Sequence, residues 1–215
     1  MKKRCEVKIQ IINRKIYVIG GDFSFEKNLA KEVLFESKYG SSLSLIKRLE
    51  RTTPDFAWQE FSGKLQVYDI DKDSWETSDM EFQKRACHNL NFYNNKIYIL
   101  GGKKLSKNQV YEYLNNEITV FDLNQDTILI DYTNPHQAVN FASVIFNDNI
   151  IILGGSDKIH KNGEKEYTNK VHLYNLKSGY WYELNNMSIP KETKGISVKN
   201  KIYLFGGFYL KPLKK

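Results

Sequence analysis

Four times the chain writes a short apolar strand that ends in a pair of glycines, and this repetition limits the folds open to it. The copies are Lys15 to Gly21 (KIYVIGG), Lys96 to Gly102 (KIYILGG), Asn149 to Gly155 (NIIILGG) and Lys201 to Gly207 (KIYLFGG). Each is too short and too β-branched for a buried helix and reads as a strand buried on both faces. The pairs Gly20 and Gly21, Gly101 and Gly102, Gly154 and Gly155, and Gly206 and Gly207 stop the strand. They permit positive φ or the close approach of another backbone. A polar turn precedes each copy (Asn13-Arg14, Asn94-Asn95, Asn147-Asp148, Lys199-Asn200) and another apolar run precedes the turn. Each unit is therefore expected to open as a hairpin.

The glycine pairs are spaced by 81, 53 and 52 residues, and a period near 50 marks a repeat array. A second landmark follows the first three pairs: an alternating strand that ends in an aromatic residue and an Asp or Asn. These are Leu65 to Asp69 with Tyr68, Ile118 to Asp122 with Phe121, and Val171 to Asn175 with Tyr174. Alternation followed by an Asp/Asn turn is the pattern of a half-exposed strand. Seven positions after each aromatic stands Trp75, Ile128 or Trp181, in a segment that reads as a fourth, outer strand.

These landmarks together resemble the kelch repeat. In that family each repeat is one four-stranded blade of a β-propeller, and the Tyr and Trp pack together between blades. The resemblance covers nearly the whole chain. Two departures stand out: Phe121 and Ile128 replace the aromatic pair, and the Arg-x-x-His that often opens a repeat survives only as Arg85 and His88. Ile128 reads as a core substitute.

The fold class expected is all-β, a kelch-type propeller segment of about three and a half four-stranded blades. The blades would span residues 1–78, 79–131, 132–184 and half a blade in 185–215. Blade 1 would carry an inserted loop, 22–64, about 28 residues longer than its counterparts. Within it Phe25, Leu29, Val33 and Leu34 recur at helical spacing, as do Leu43, Ile46 and Leu49 after a cap at Ser41 or Ser42; two short helices or disorder would both fit. A half blade leaves apolar blade faces open, so the chain reads as a fragment of a six- or seven-bladed propeller, with self-association through those faces expected.

Composition sets outer bounds. No apolar run approaches the ~18 residues that span a bilayer, and Glu6, Lys8 and Gln10 interrupt what would be a signal-peptide core. Cys5 and Cys87 give no disulfide framework and read as buried free thiols, which fits a reducing, cytoplasmic compartment. The net charge of +7 comes from lysines scattered over turns, with no basic helix, so neither a nucleic-acid nor a membrane partner is expected.

Catalytic constellations are sparse. His88, His136, His160 and His172 share no position within the repeat, and Cys87 beside His88 would point to the opposite face of a strand. No ligand spacing for a metal is present and no cofactor is expected. Glu164 and Glu166 lie in a charged loop, where carboxylates keep ordinary acidity and make poor general acids at neutral pH.

Length is spent instead on three loops between second and third strands (residues 22–64, 103–116 and 156–170), which a stacked-blade architecture would place on one rim. Candidate partner-binding residues there are Phe56, Trp58, Lys103, Lys104, Tyr111, Tyr113, Lys158 and His160. The function expected is a non-catalytic protein-binding or scaffold module. The alternative is a sugar-processing kelch enzyme of mutarotase or oxidase type, whose axial Arg, Glu and His cluster would be incomplete in this chain.

Overall fold

The structure, a computed structural model, describes residues 8–22, 61–105, 112–160 and 164–207. Its elements are strands throughout. The first sheet takes β1 (Lys8–Ile12), β2 (Lys15–Ile19), β3 (Lys64–Asp69) and β4 (Ser74–Glu81) in that order. The second is β5 (Asn89–Tyr93), β6 (Lys96–Leu100), β9 (Ile118–Asp122) and β10 (Thr127–Asp131), with the small hairpin β7 (Lys103–Leu105) and β8 (Glu112–Leu114) inserted after β6. The third is β11 (Ala142–Phe146), β12 (Asn149–Leu153), β15 (Val171–Asn175) and β16 (Trp181–Leu184), with hairpin β13 (Ser156–Ile159) and β14 (Lys165–Tyr167) after β12. A last pair, β17 (Lys194–Val198) and β18 (Lys201–Phe205), starts a fourth sheet. All pairings are antiparallel, and the inner strands sit side by side in the sequence β1, β5, β11, β17. This is the arrangement of propeller blades.

Turn chemistry fixes the hairpins. Asn13 and Arg14, and Asn94 and Asn95, all have positive φ, the pattern of a two-residue hairpin turn that matches strand twist. At the other end of the blade, Asp69, Asp122 and Asn175 each accept two backbone N–H groups from the turn that follows, which closes the third strand onto the fourth.

The core is a stack of layers between blades, and period-2 alternation feeds two layers from one strand. Along β6, Ile97 and Ile99 join Ile12, Ile19 and Leu65 of the first sheet and Phe82, which follows β4. Tyr98 and Leu100 face the other way, with Phe141, Ile150, Ile152 and Tyr174 of blade 3. Along β12, Ile151 and Leu153 turn toward Ile202 and Leu204. The glycine-terminated strand is thus buried on both faces in β6 and β12. It is not so in β18, where Tyr203 and Phe205 are exposed because no described element packs on that side.

The glycine pairs lock each blade to the next. All eight residues have positive φ. The N–H of Gly21, Gly102 and Gly155 donates to the carbonyl of Arg85, Ala138 and Lys191 at 2.9, 3.0 and 2.8 Å. Those three carbonyls belong to the segment that enters the following blade. A Cβ on Gly102 would stand 2.6 Å from the Ala86 oxygen, so glycine is required by the crossing backbone as well as by φ.

The aromatic pairs correct one expectation. Tyr174 and Trp181 stack at 4.9 Å between blades 2 and 3, and Ile128 packs against blade 1 beside Phe121. Tyr68 and Trp75 also stack, at 5.1 Å, yet Trp75 is 46% exposed. The sheet register supplies the reason. Trp75 shares a face with Tyr68, Ile16 and Ile11, and among the described residues nothing covers that face. In the second to fourth blades this row points toward the preceding blade; among the described residues no strand packs on the corresponding side of blade 1.

Candidate functional site

The two small hairpins are the long loops given shape. Each begins directly after a glycine pair, and β13 lies against β8, so both occupy one rim. Short cross-strand ion pairs hold them: Lys103 with Glu112 at 2.9 Å in the first, and Lys158 with Glu166 at 2.7 Å in the second. His160 adds a contact at 2.7 Å to the same Glu166 oxygen. The Lys158 ammonium first, and His160 second, hold the Glu166 carboxyl below its ordinary pKa.

Of the expected partner-binding residues, Tyr113, Lys158 and His160 are exposed on these hairpins, and Lys104, opposite Tyr113, is half-buried. Lys103 is a correction. It is 4% exposed, with its ammonium spent on Glu112 and 5.5 Å from the Phe61 ring centre, because its side chain turns inward along the blade entry. Phe56, Trp58 and Tyr111 lie outside the described residues, as do the helices expected in the insertion and Cys5. Cys87 is a buried free thiol. It sits not in a strand but in a bend with φ of 55°, so the opposite-faces argument does not apply to it and His88. His88 is fully buried, and desolvation with the nearby Arg85 charge pushes its pKa down to about 3. Among the described residues no group of three or more His, Cys, Asp or Glu is placed to hold a metal.

Behind the rim the blades repeat a polar position every 53 residues. Ser62, Asn115 and Thr168 each donate a backbone N–H to the second glycine of the pair, at 2.8 to 2.9 Å. Each also accepts, on its side chain, the N–H two residues on. In blade 2 this position closes a buried network. Arg85, 1% exposed, donates to Glu117 at 3.1 Å and to Thr119 at 2.7 Å. The Gln83 amide lies 2.8 Å from that of Asn115. Burial lowers the Arg85 pKa to about 10, against the pull of Glu117, so the guanidinium stays charged at neutral pH.

In blade 3 the same region is an open cleft of about 190 Å3, lined by His136, Gln137, Asp157, Thr168, Lys170 and His172 among others. The Nδ1 atoms of His136 and His172 are 2.8 Å apart, and His136 Nε2 is 2.8 Å from the Gly154 carbonyl. A carbonyl only accepts, so Nε2 carries the proton; the neutral His136 ring then accepts at Nδ1 from His172 Nδ1–H. Desolvation lowers the His136 pKa to about 4 and also lowers that of His172, which Glu183 opposes. Both imidazoles are neutral at pH 7. Sequence reasoning missed this pair because the two histidines stand at different points of the repeat. Alignment at 53 residues places them opposite Gln83 and Thr119, which was the available signal.

Three comparisons agree with this architecture. A family model described as Attractin/LZTR1 β-propeller matches residues 52–214. Human Kelch repeat and BTB domain-containing protein 12 is 25% identical over 153 residues, which cover 66% of this chain and 25% of that protein. The solved structure of YjhT superposes with a TM-score of 0.68 at 18% identity, covering 95% of this chain and 62% of that one. The chain thus spans a quarter of the human relative and under two thirds of YjhT, and the latter likeness concerns the fold. With the strand order, the glycine crossings and the aromatic pairs, these matches place the chain in the Attractin/LZTR1 β-propeller family, with kelch-type repeats.

Proposed function

We propose that this chain is a non-catalytic recognition module that binds a protein partner through the rim built by the β7–β8 and β13–β14 hairpins. The observation that carries the reading is the side-by-side placement of these hairpins, each tied by its own ion pair, with Tyr113 51% exposed. A large aromatic presented on an ordered hairpin is the residue type that anchors protein interfaces. Ordering the hairpins before binding lowers the entropy cost of association. The kelch-repeat relative and the family membership support a recognition role.

The test is affinity capture with the chain as bait, followed by titration of the identified partner as a purified protein. Tyr113→Ala and Lys158→Glu should each weaken that titration by roughly tenfold or more, as hot-spot truncations do. Unchanged affinity in both variants would overturn the rim assignment.

A further inference from the structure

The fourth strand of each blade is a sheet edge, and in blade 2 that edge lacks what keeps edges apart. β10 pairs with β9 on one side, and among the described residues no strand pairs with its other side. An open edge presents unpaired backbone groups, and natural sheets blunt it with charge, a bulge or brevity. Blade 1 does so in β4, which carries Glu76, Asp79 and Glu81 and meets β3 across a register shift. Blade 3 does so in β16, four residues long with Glu183 inside it. β10 does neither. Thr127 to Ile130 hold no charge, the register with β9 is regular, and Leu129 and Ile130 are 62% and 50% exposed. Ile130 shares a face with Ile128, which packs toward blade 1, and Leu129 lies on the other face beside Val120. The edge is therefore apolar on both faces.

Backbone phase and charge select the occupant. In blade 3 the Asn175 N–H donates to the Tyr180 carbonyl at 2.9 Å, so these two residues turn their backbone groups toward each other. Asp122 and Thr127 hold the same positions 53 residues earlier and are paired in register. Hydrogen-bonded and non-hydrogen-bonded pairs alternate along an antiparallel ladder. Thr127, Leu129 and Asp131 thus face β9 with their N–H and C=O, and Ile128 and Ile130 turn theirs outward. We propose that β10 pairs antiparallel with β10 of a second copy, about a two-fold axis at Leu129. In that register Ile128 of each copy exchanges both backbone hydrogen bonds with Ile130 of the other. Leu129 meets Leu129 in a close non-hydrogen-bonded pair. Thr127 lies opposite Asp131, hydroxyl against carboxylate, so no like charges are opposed. Moving the axis to Ile128 or Ile130 would set Leu129 against Thr127 or Asp131. Such an interface is isologous and joins two four-stranded sheets into one. It is small for a specific interface, so the dimer should be weak and reversible.

The test uses the full 215-residue chain carrying Tyr203→Lys and Phe205→Lys, so that the exposed face of β17 and β18 takes no part. Sedimentation velocity over a hundredfold dilution should still register a reversible dimer. Leu129→Lys sets two ammonium groups opposite each other and should raise the dissociation constant roughly tenfold or more. Disulfide trapping in a Cys5→Ser background keeps the proposal falsifiable should that variant fold poorly. Leu129→Cys should link two copies on mild oxidation. A non-hydrogen-bonded pair sets its Cα atoms about 4.5 Å apart, within the ~4.4–6.8 Å that a disulfide spans. Glu76→Cys, at the same position of β4 53 residues earlier, should link far more slowly. A monomer at every concentration, indifference to Leu129→Lys, or equal trapping by the two cysteine variants would each overturn the pairing.

Discussion

His136 and His172, 36 residues apart in sequence, face each other Nδ1 to Nδ1 at 2.8 Å inside blade 3. Only one proton can occupy that line, so protonation of both rings would break the contact. His136 also spends its second nitrogen on Gly154, which fixes its tautomer. The pair thus joins the segment entering the blade to its third strand, as Arg85 joins Glu117 and Thr119 one blade earlier. One structural task is met by an ion pair in one repeat and by neutral imidazoles in the next.

That difference predicts a pH response. The His136 pKa is lowered from 6.5 to about 4, so on acidification the unfolded chain takes up a proton that the native ring refuses. Stability contributed by the neutral ring is intact above about pH 6.5 and is lost as pH falls toward 4. The loss should be on the order of 2–3 kcal/mol, from ~1.4 kcal/mol per pKa unit. Melting temperatures at pH 7, 6, 5 and 4.5 should fall along this window. His136→Gln, which installs the residue type of position 83, should flatten the fall; an unaltered slope would refute the assignment.

The Arg85 and Glu117 pair predicts an asymmetric response to mutation. Arg85→Ala strands a buried carboxylate, which costs about 3–5 kcal/mol when one partner of a buried pair is removed. Adding Glu117→Leu removes the stranded charge and should recover most of the loss. Urea unfolding of wild type, single and double variants measures the coupling. A double variant as unstable as Arg85→Ala alone would show that packing of the arginine stem, not charge, carries the energy.

The aromatic rows predict a split between two tryptophans that look equivalent in sequence. Trp181→Ala opens the layer between blades 2 and 3 and should cost about 3 kcal/mol or more. Trp75→Ala, on the uncovered face of blade 1, should cost less than half as much. Equal losses in denaturant midpoint would mean that something covers Trp75 in solution.

Much of this architecture was legible. The glycine pairs, the Asn turns and the Asp69, Asp122 and Asn175 caps act over a few residues, so spacing alone identifies them. The contacts that define the candidate site are not local. Arg85 meets Glu117 only because a hairpin brings β9 back beside the blade entry, and His136 meets His172 in the same way. Lys103 illustrates the converse: beside a glycine pair it reads as a rim lysine, but Phe61 and Glu112, which the fold brings together, draw it inward. Trp75 depends on a neighbour that no residue within its own repeat can specify.

Exposed faces at the two ends of the blade row give the last prediction. One end carries Ile11, 58% exposed, in the same cross-strand row as Trp75. The other carries Ile196, Val198, Tyr203 and Phe205, all exposed on the side of β17 and β18 turned away from blade 3. Equivalent faces elsewhere in the chain are the buried layers of the core, so these surfaces have the shape and polarity of blade interfaces. Apolar patches of this kind are seldom left in water by monomers. The 215-residue chain on its own should therefore associate with itself in a concentration-dependent way, which sedimentation velocity over a hundredfold dilution would register. Tyr203→Lys with Phe205→Lys should shift the equilibrium toward monomer without altering the interior layers. A concentration-independent monomer for the unmodified chain would instead require that residues outside those described fold over both faces.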